Sequence, residues 1–166
     1  MRTALLACSA VICCCAVLAW QPGAAHAKNA GLDGTERKVV KLVNRIRAHH
    51  GLRKLRASRT LAHAASDHTG DMLRADYLSH DSRDGTPMAT RVRRYTGARW
   101  VGENIAVTTS RRRGLARRVV RMWMASPPHR AVLLSPKSRR IGVGRERGRL
   151  GSVAYSVFTV DFASSR

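Results

Sequence analysis

VAYSVFTVDF, residues 153–162, alternates with a period of two: Val157, Thr159 and Asp161 fall opposite Phe158, Val160 and Phe162. That is the pattern of a strand. Trp100–Val107 and Ile141–Arg145 read the same way, and the charged, Gly-rich run Glu146–Gly151 predicts the turn between the last two strands. Upstream the period changes. Val39, Val43 and Ile46 share one helical face after Thr35, the expected N-cap, and Gly51 marks the stop. Ser58 predicts the cap of a second helix with Leu61, Ala65, His68 and Met72 on one face. Thr86-Pro87 reads as N-cap and first-turn proline of a third, carrying Met88, Val92 and Tyr95. Leu115, Val119, Met122 and Trp123 form a fourth apolar stripe, which Ser126-Pro127-Pro128 ends while starting a short helical turn. No βαβ alternation occurs. Three or four helices beside a small antiparallel sheet predict an α+β domain with helices packed on the sheet.

Composition agrees with one domain. The chain has 166 residues, 44% of them apolar, with 31 Lys plus Arg against 10 Asp plus Glu and a formal net charge of +21. This excludes a disordered tail, a collagen-like fibre and a multi-span membrane protein. Arg2, an apolar run from Ala4 to Trp20 and the Ala25-His26-Ala27 site make residues 1–27 a secretory signal peptide, with cleavage expected after Ala27. The alternative is an uncleaved N-terminal membrane anchor. Residues 28–34 read as a flexible lead-in and 35–166 as the domain. Cys8, Cys13, Cys14 and Cys15 all fall in the signal segment, so the exported chain has no thiol chemistry and no disulfide.

Dinucleotide, Walker, HExxH and GxSxG motifs are absent. Three residues stand in suggestive contexts: His80 in Tyr77-Leu78-Ser79-His80, Glu103 in Gly102-Glu103-Asn104-Ile105, and His129 after two prolines. Glu103 interrupts an apolar stretch, so its carboxylate enters the fold and needs a donor, an imidazole or a backbone amide. Two imidazoles and a carboxylate suit a divalent metal such as Zn²⁺, weakly held, and suit equally a hydrogen-bonded network without metal. Asn44 reads as a structural hydrogen-bonder and Trp123 as core. His49, His50, His63 and His68 read as surface or packing residues. The runs Arg91–Arg94, Arg111–Arg113, Arg117-Arg118-Arg121 and Arg139-Arg140 read as solvated faces.

In order along the chain, Val43-Asn44-Arg45-Ile46-Arg47, Gly51-Leu52, Tyr77-Leu78-Ser79-His80, Gly102-Glu103-Asn104-Ile105-Ala106, Trp123-Met124-Ala125-Ser126, His129-Arg130 and Ile141-Gly142-Val143-Gly144 resemble the CAP superfamily, or SCP-like extracellular domain, in its bacterial secreted subtype. The resemblance covers about residues 36–163. It implies an α-β-α sandwich with a central cleft lined by two His and two Glu, in which some members bind a divalent cation. His80 matches the first His and Glu103 the first Glu. The second Glu would fall near Ser126 and the late His near Val157; both are missing, and His129 is the candidate to replace the late His in space. The expected role is a secreted monomer that binds a lipid, an anionic wall polymer or a protein at the cell envelope. A metal-assisted hydrolase is the alternative, with no complete catalytic set and no required cofactor. Nucleic acid is disfavoured by secretion and by the few aromatics.

Overall fold

The computed structural model describes residues 33–109 and 114–165. The signal segment 1–27, nearly all of the lead-in and the Arg111–Arg113 run lie outside the described residues. Five helices and four strands follow in the order α1 (Gly34–His49), β1 (Arg56–Ala57), α2 (Arg59–Arg74), α3 (Met88–Thr96), β2 (Val101–Thr108), α4 (Leu115–Ala125), α5 (Pro127–Leu133), β3 (Arg140–Leu150) and β4 (Val153–Ala163). The sheet order is β1-β3-β4-β2. The three long strands are antiparallel and β1 joins β3 in parallel, so the sheet is mixed where the sequence predicted antiparallel pairing alone. No helix among the described residues is long and apolar enough to cross a membrane.

The architecture is an α-β-α sandwich, an α+β fold. On one face α1, α4 and α5 cover Ile141, Val143, Phe158, Val160 and Phe162 with Val39, Val43, Val119, Trp123 and Leu133. On the other, α2 and α3 pack Leu61 and Val92 against Val101 and Ala163. Both faces are covered, so Ser156–Ala163 of β4 is buried throughout and its alternation separates two interiors, not inside from outside. Gly142 and Gly144 let α2 approach β3 closely. A Cβ on Gly142 would lie 2.1 Å from the Ala62 nitrogen, and one on Gly144 2.4 Å from the Ser66 nitrogen.

Several boundaries differ from the sequence reading. Asp33, not Thr35, caps α1: its carboxylate accepts from the Thr35 and Glu36 amides at 2.7 Å each, and Glu36 reaches back to the Asp33 amide. β3 runs through Glu146–Leu150, the expected turn, because alternating residues still pair with Val153–Val157 of β4; only Gly151-Ser152 remain as the turn. Pro87 occupies the cap position of α3, and Asp81 Oδ1 accepts from the Met88 amide in place of a Thr86 cap. Ser58 caps α2 as expected, through the Leu61 amide. Asn44 bonds Leu55 in both directions, with Nδ2 to the carbonyl at 3.0 Å and Oδ1 from the amide at 2.7 Å. Arg47 is a departure: it is fully buried, donating to the carbonyls of Arg53, Leu133 and Ser135, and so ties α1 to the end of α5.

Candidate functional site

Glu103 sits mid-β2 with its side chain wholly covered, on the α2–α3 side of the sheet. Its carboxylate has the donors that burial demands: Oε1 accepts from His80 Nδ1 at 2.8 Å and Oε2 from an Arg91 NH2 group at 2.7 Å. Arg91 also donates to the His80 carbonyl at 2.9 Å, so one guanidinium holds both the carboxylate and the loop that presents the imidazole. His68 fastens that loop one residue earlier. Its Nε2 donates to the Ser79 carbonyl at 2.9 Å, which fixes the tautomer and leaves Nδ1 unprotonated.

His129 reaches the site from the other layer. Ser126 stands at the N-cap position of α5 without a side-chain cap bond, two prolines set the first turn, and His129 Nδ1 meets Ser126 Oγ at 2.8 Å. Asn104 Nδ2 donates to the His129 carbonyl at 3.0 Å and so pins α5 to β2. The imidazoles of His80 and His129 line opposite sides of one groove of about 500 Å³, with Leu78, Ser79, Ile105–Val107, Met122, Trp123 and Ser126. Ligand clefts span about 300–1,000 Å³. Leu78 and Met122 are 51% and 42% exposed, which makes its mouth apolar.

The electrostatics divide the two histidines. The hydrogen bond to Glu103 raises the pKa of His80 despite partial burial. Burial, with the nearby His80 charge, lowers that of His129. Burial pushes the Glu103 carboxyl up, but His80 and Arg91 outweigh it and hold it below its usual value. Asp161, opposite Glu103 on β4, is wholly buried, and burial plus the Glu103 charge raise its pKa well above the ordinary carboxylate range. Burial lowers the pKa of His68.

The sequence reading picked out His80, Glu103 and His129. The structure brings His80 onto Glu103 and places His129 across the groove, bonded to Ser126 and not to the carboxylate. The reading missed Arg91, which it placed on a solvated face; its side chain is only 11% exposed because Glu103 and the His80 carbonyl draw it inward. It read His68 as a surface or packing residue, and the buried position fits packing, but it did not single out Asp161. Asp161 had a legible signal, an acid inside an apolar strand, the same one that exposed Glu103. Each Glu103 oxygen has one donor, His80 Nδ1 on Oε1 and Arg91 on Oε2, so the carboxylate orients the His80 ring. Among the described residues no three His, Cys, Asp or Glu side chains are placed to hold a metal ion. Nδ1 of each imidazole is engaged, and among the described residues the Nε2 atoms of His80 and His129, both of which line the groove, have no hydrogen-bond partner.

A family model described as CAP, the cysteine-rich secretory protein family, matches residues 40–162. The chain is similar to the uncharacterized protein YkwD of Bacillus subtilis, 34% identical over 116 residues, which are 69% of this chain and 44% of that one. It is also similar to the uncharacterized membrane protein YlbC of the same organism, 33% identical over 114 residues, 68% and 32% of the two chains. The chain thus spans less than half the length of these curated relatives. Among solved structures it superposes on an extracellular SCP-domain protein of Bacillus anthracis with a TM-score of 0.65 and 31% identity, over 80% of this chain and 41% of that one. An outer surface protein of Borrelia burgdorferi shares the fold, with a TM-score of 0.67 and 20% identity over 81% and 95% of the two chains.

Proposed function

The chain belongs to the CAP, or cysteine-rich secretory protein, family and carries a bacterial-type SCP domain, and from that premise we propose that it is an exported binding domain that holds an anionic ligand at the cell envelope. One observation carries the reading: a groove with an apolar mouth, at Leu78 and Met122, and an imidazole on each wall, in a strongly basic chain. His80, kept protonated to higher pH by Glu103, supplies a charged donor, and the apolar walls take the uncharged part of the ligand. The arginine-rich surface raises the local concentration of anions. Export rests on residues 1–27, so the secreted protein begins at Lys28.

Binding is preferred to hydrolysis on a specific ground. Ser126 and His129 are in contact, but among the described residues no carboxylate orients the far nitrogen of His129, as an activated serine would need. His80 has its carboxylate but, among the described residues, no hydroxyl or thiol hydrogen-bonded to its ring. A divalent cation such as Zn²⁺ would find two imidazole nitrogens, with Glu103 behind one of them.

The test is co-sedimentation of the domain from Lys28 with phosphatidylglycerol vesicles and with a poly(glycerol phosphate) polymer, against neutral vesicles. Binding should fall steeply from low to high salt. It should fall further, at unchanged melting temperature, in Met122→Glu, which puts a negative charge at the mouth. Retention indifferent to salt, or to Met122→Glu, overturns the proposal.

A further inference from the structure

We infer that the groove takes an extended acidic polypeptide segment, added as a further strand along the free edge of β2. This rests on the binding reading above and names the occupant of the same groove.

The register shows which backbone groups are free. Gly151-Ser152 is a two-residue turn, so Leu150 and Val153 close it and exchange backbone hydrogen bonds. Stepping by two along β4, Val153, Tyr155, Val157, Thr159, Asp161 and Ala163 turn their N–H and C=O toward β3, and the residues between turn theirs toward β2. The Arg139 amide donates to the Ala163 carbonyl at 2.8 Å and the Ser164 amide to the Trp100 carbonyl at 2.9 Å, as that phase requires. Gly102, Asn104, Ala106 and Thr108 therefore pair with β4, while Glu103, Ile105 and Val107 point N–H and C=O away from the sheet. Trp123 Nε1 donates to the Ile105 carbonyl at 2.9 Å, from the outer side. Among the described residues, the Ile105 amide and both backbone groups of Val107 have no partner. Ile105, Ala106 and Val107 line the groove.

An unpaired strand edge is a template for another strand, and domains commonly blunt it with lysine, proline, a bulge or a covering element. β2, VGENIAVT, has neither lysine nor proline, and over Ile105–Val107 the one edge group with a partner among the described residues is the Ile105 carbonyl, capped by Trp123. An added strand lies about 4.8 Å from its neighbour and sends successive side chains to opposite faces. The groove has two such faces. One wall holds Leu78 and His80, the other Met122 and His129, so each offers one apolar and one imidazole contact. A segment with two acidic residues followed by two apolar ones puts one of each kind on each wall. The formal charge of +21 favours an acidic partner and speeds its approach. An acyl chain would leave the Ile105 amide and both Val107 groups unpaired. A glycerol phosphate polymer has acceptors for the two amides and no amide-like donor spaced for the Val107 carbonyl. A polypeptide satisfies all three.

The probe is an acetylated, amidated octapeptide of Glu-Glu-Val-Val repeated twice, titrated into the domain from Lys28 and followed by amide hydrogen exchange. Binding should slow exchange at the Ile105 and Val107 amides at least tenfold. N-methylation of alternate peptide amides, which leaves its charge intact, should weaken binding at least tenfold. Val107→Pro removes an N–H that faces out of the sheet, breaks no ladder bond, and should abolish peptide binding. If that variant fails to fold, the N-methylated peptide on the unaltered chain still decides. Equal binding of the N-methylated peptide, or protection elsewhere, overturns the inference. So does concentration-dependent protection of these amides without peptide, which would mean a second copy fills the edge. Groove-dependent retention of vesicles or polymer without peptide binding overturns strand addition alone; retention independent of the groove for every probe overturns both readings.

Discussion

Glu103→Ala should be the most damaging single substitution at the site. The change deletes a carboxylate with no exposed surface and strands Arg91 in the interior. Arg91 then keeps the His80 carbonyl as its acceptor, and its Nε and a second NH group already lack partners. Removing one partner of a buried ion pair costs about 3–5 kcal/mol, far more than a surface pair is worth. A domain of this size has about 5–15 kcal/mol in total. At a urea slope of about 2 kcal/mol per molar, the unfolding midpoint should fall by about 2 M. The pH dependence supplies a second arm. The folded pKa of Glu103 lies below its unfolded value, so its contribution is present above the unfolded pKa, about 4.3, and is lost as pH falls through the folded value. The gap between the two proteins should therefore narrow in acid. A double-mutant cycle with Arg91→Ala should be non-additive, the double variant losing less than the sum, since each single change leaves the other charge unpaired. A loss below about 1 kcal/mol at neutral pH, well under the cost of breaking a buried pair, or additive singles, would refute the account of Glu103 as the anchor of this cluster.

Asp161→Asn should stabilise the domain at neutral pH. The folded pKa is raised, so the fold favours the neutral acid, and stability falls above the unfolded value with a slope of at most about 1.4 kcal/mol per pH unit; urea melts at pH 7 and pH 4 should show a gain that vanishes in acid. Gly142→Ala should lose about 1–3 kcal/mol, the usual cost of overpacking, because its methyl group meets the α2 backbone and not a side chain that could swing away; an unchanged melting temperature would contradict that contact. Arg47→Lys should lower stability by about 1–3 kcal/mol by leaving buried carbonyls of Leu133 and Ser135 without a donor, read by thermal unfolding against Arg45→Lys on the exposed face. Anion retention in the groove should weaken as pH rises through the raised pKa of His80, and His80→Ala should flatten that profile; a profile unchanged by the substitution would remove His80 from the ligand.

Much of the fold was legible because periodicity is a local property. The helix stripes, the Ser58 cap and the strand alternation of Val153–Phe162 all follow from residues within a few positions of one another. Errors came where two local signals competed: Glu146–Leu150 is rich in charge and glycine, yet pairing with β4 keeps it extended. Thr35 is a good cap residue, but Asp33 reaches the same amides with a carboxylate and closes a capping box. At the site, Glu103 announced itself as an acid among apolar neighbours. Arg91 did not, because an arginine among arginines looks the same whether it faces water or a buried carboxylate 12 positions away.

The amino-acid sequence by itself determined the layer types, the need to pair Glu103, and the excess of positive charge, since each depends on residue type and short-range spacing. Tertiary structure alone decided which arginine turns inward, that Asp161 lies across from Glu103, and that His80 and His129 face each other from different layers. It also left β2 at the sheet edge, with Ile105 and Val107 open to a groove. These are distances between residues far apart in the chain. They are set by how two helical layers close on one sheet, and burial, not sequence neighbourhood, determines which charges must find each other.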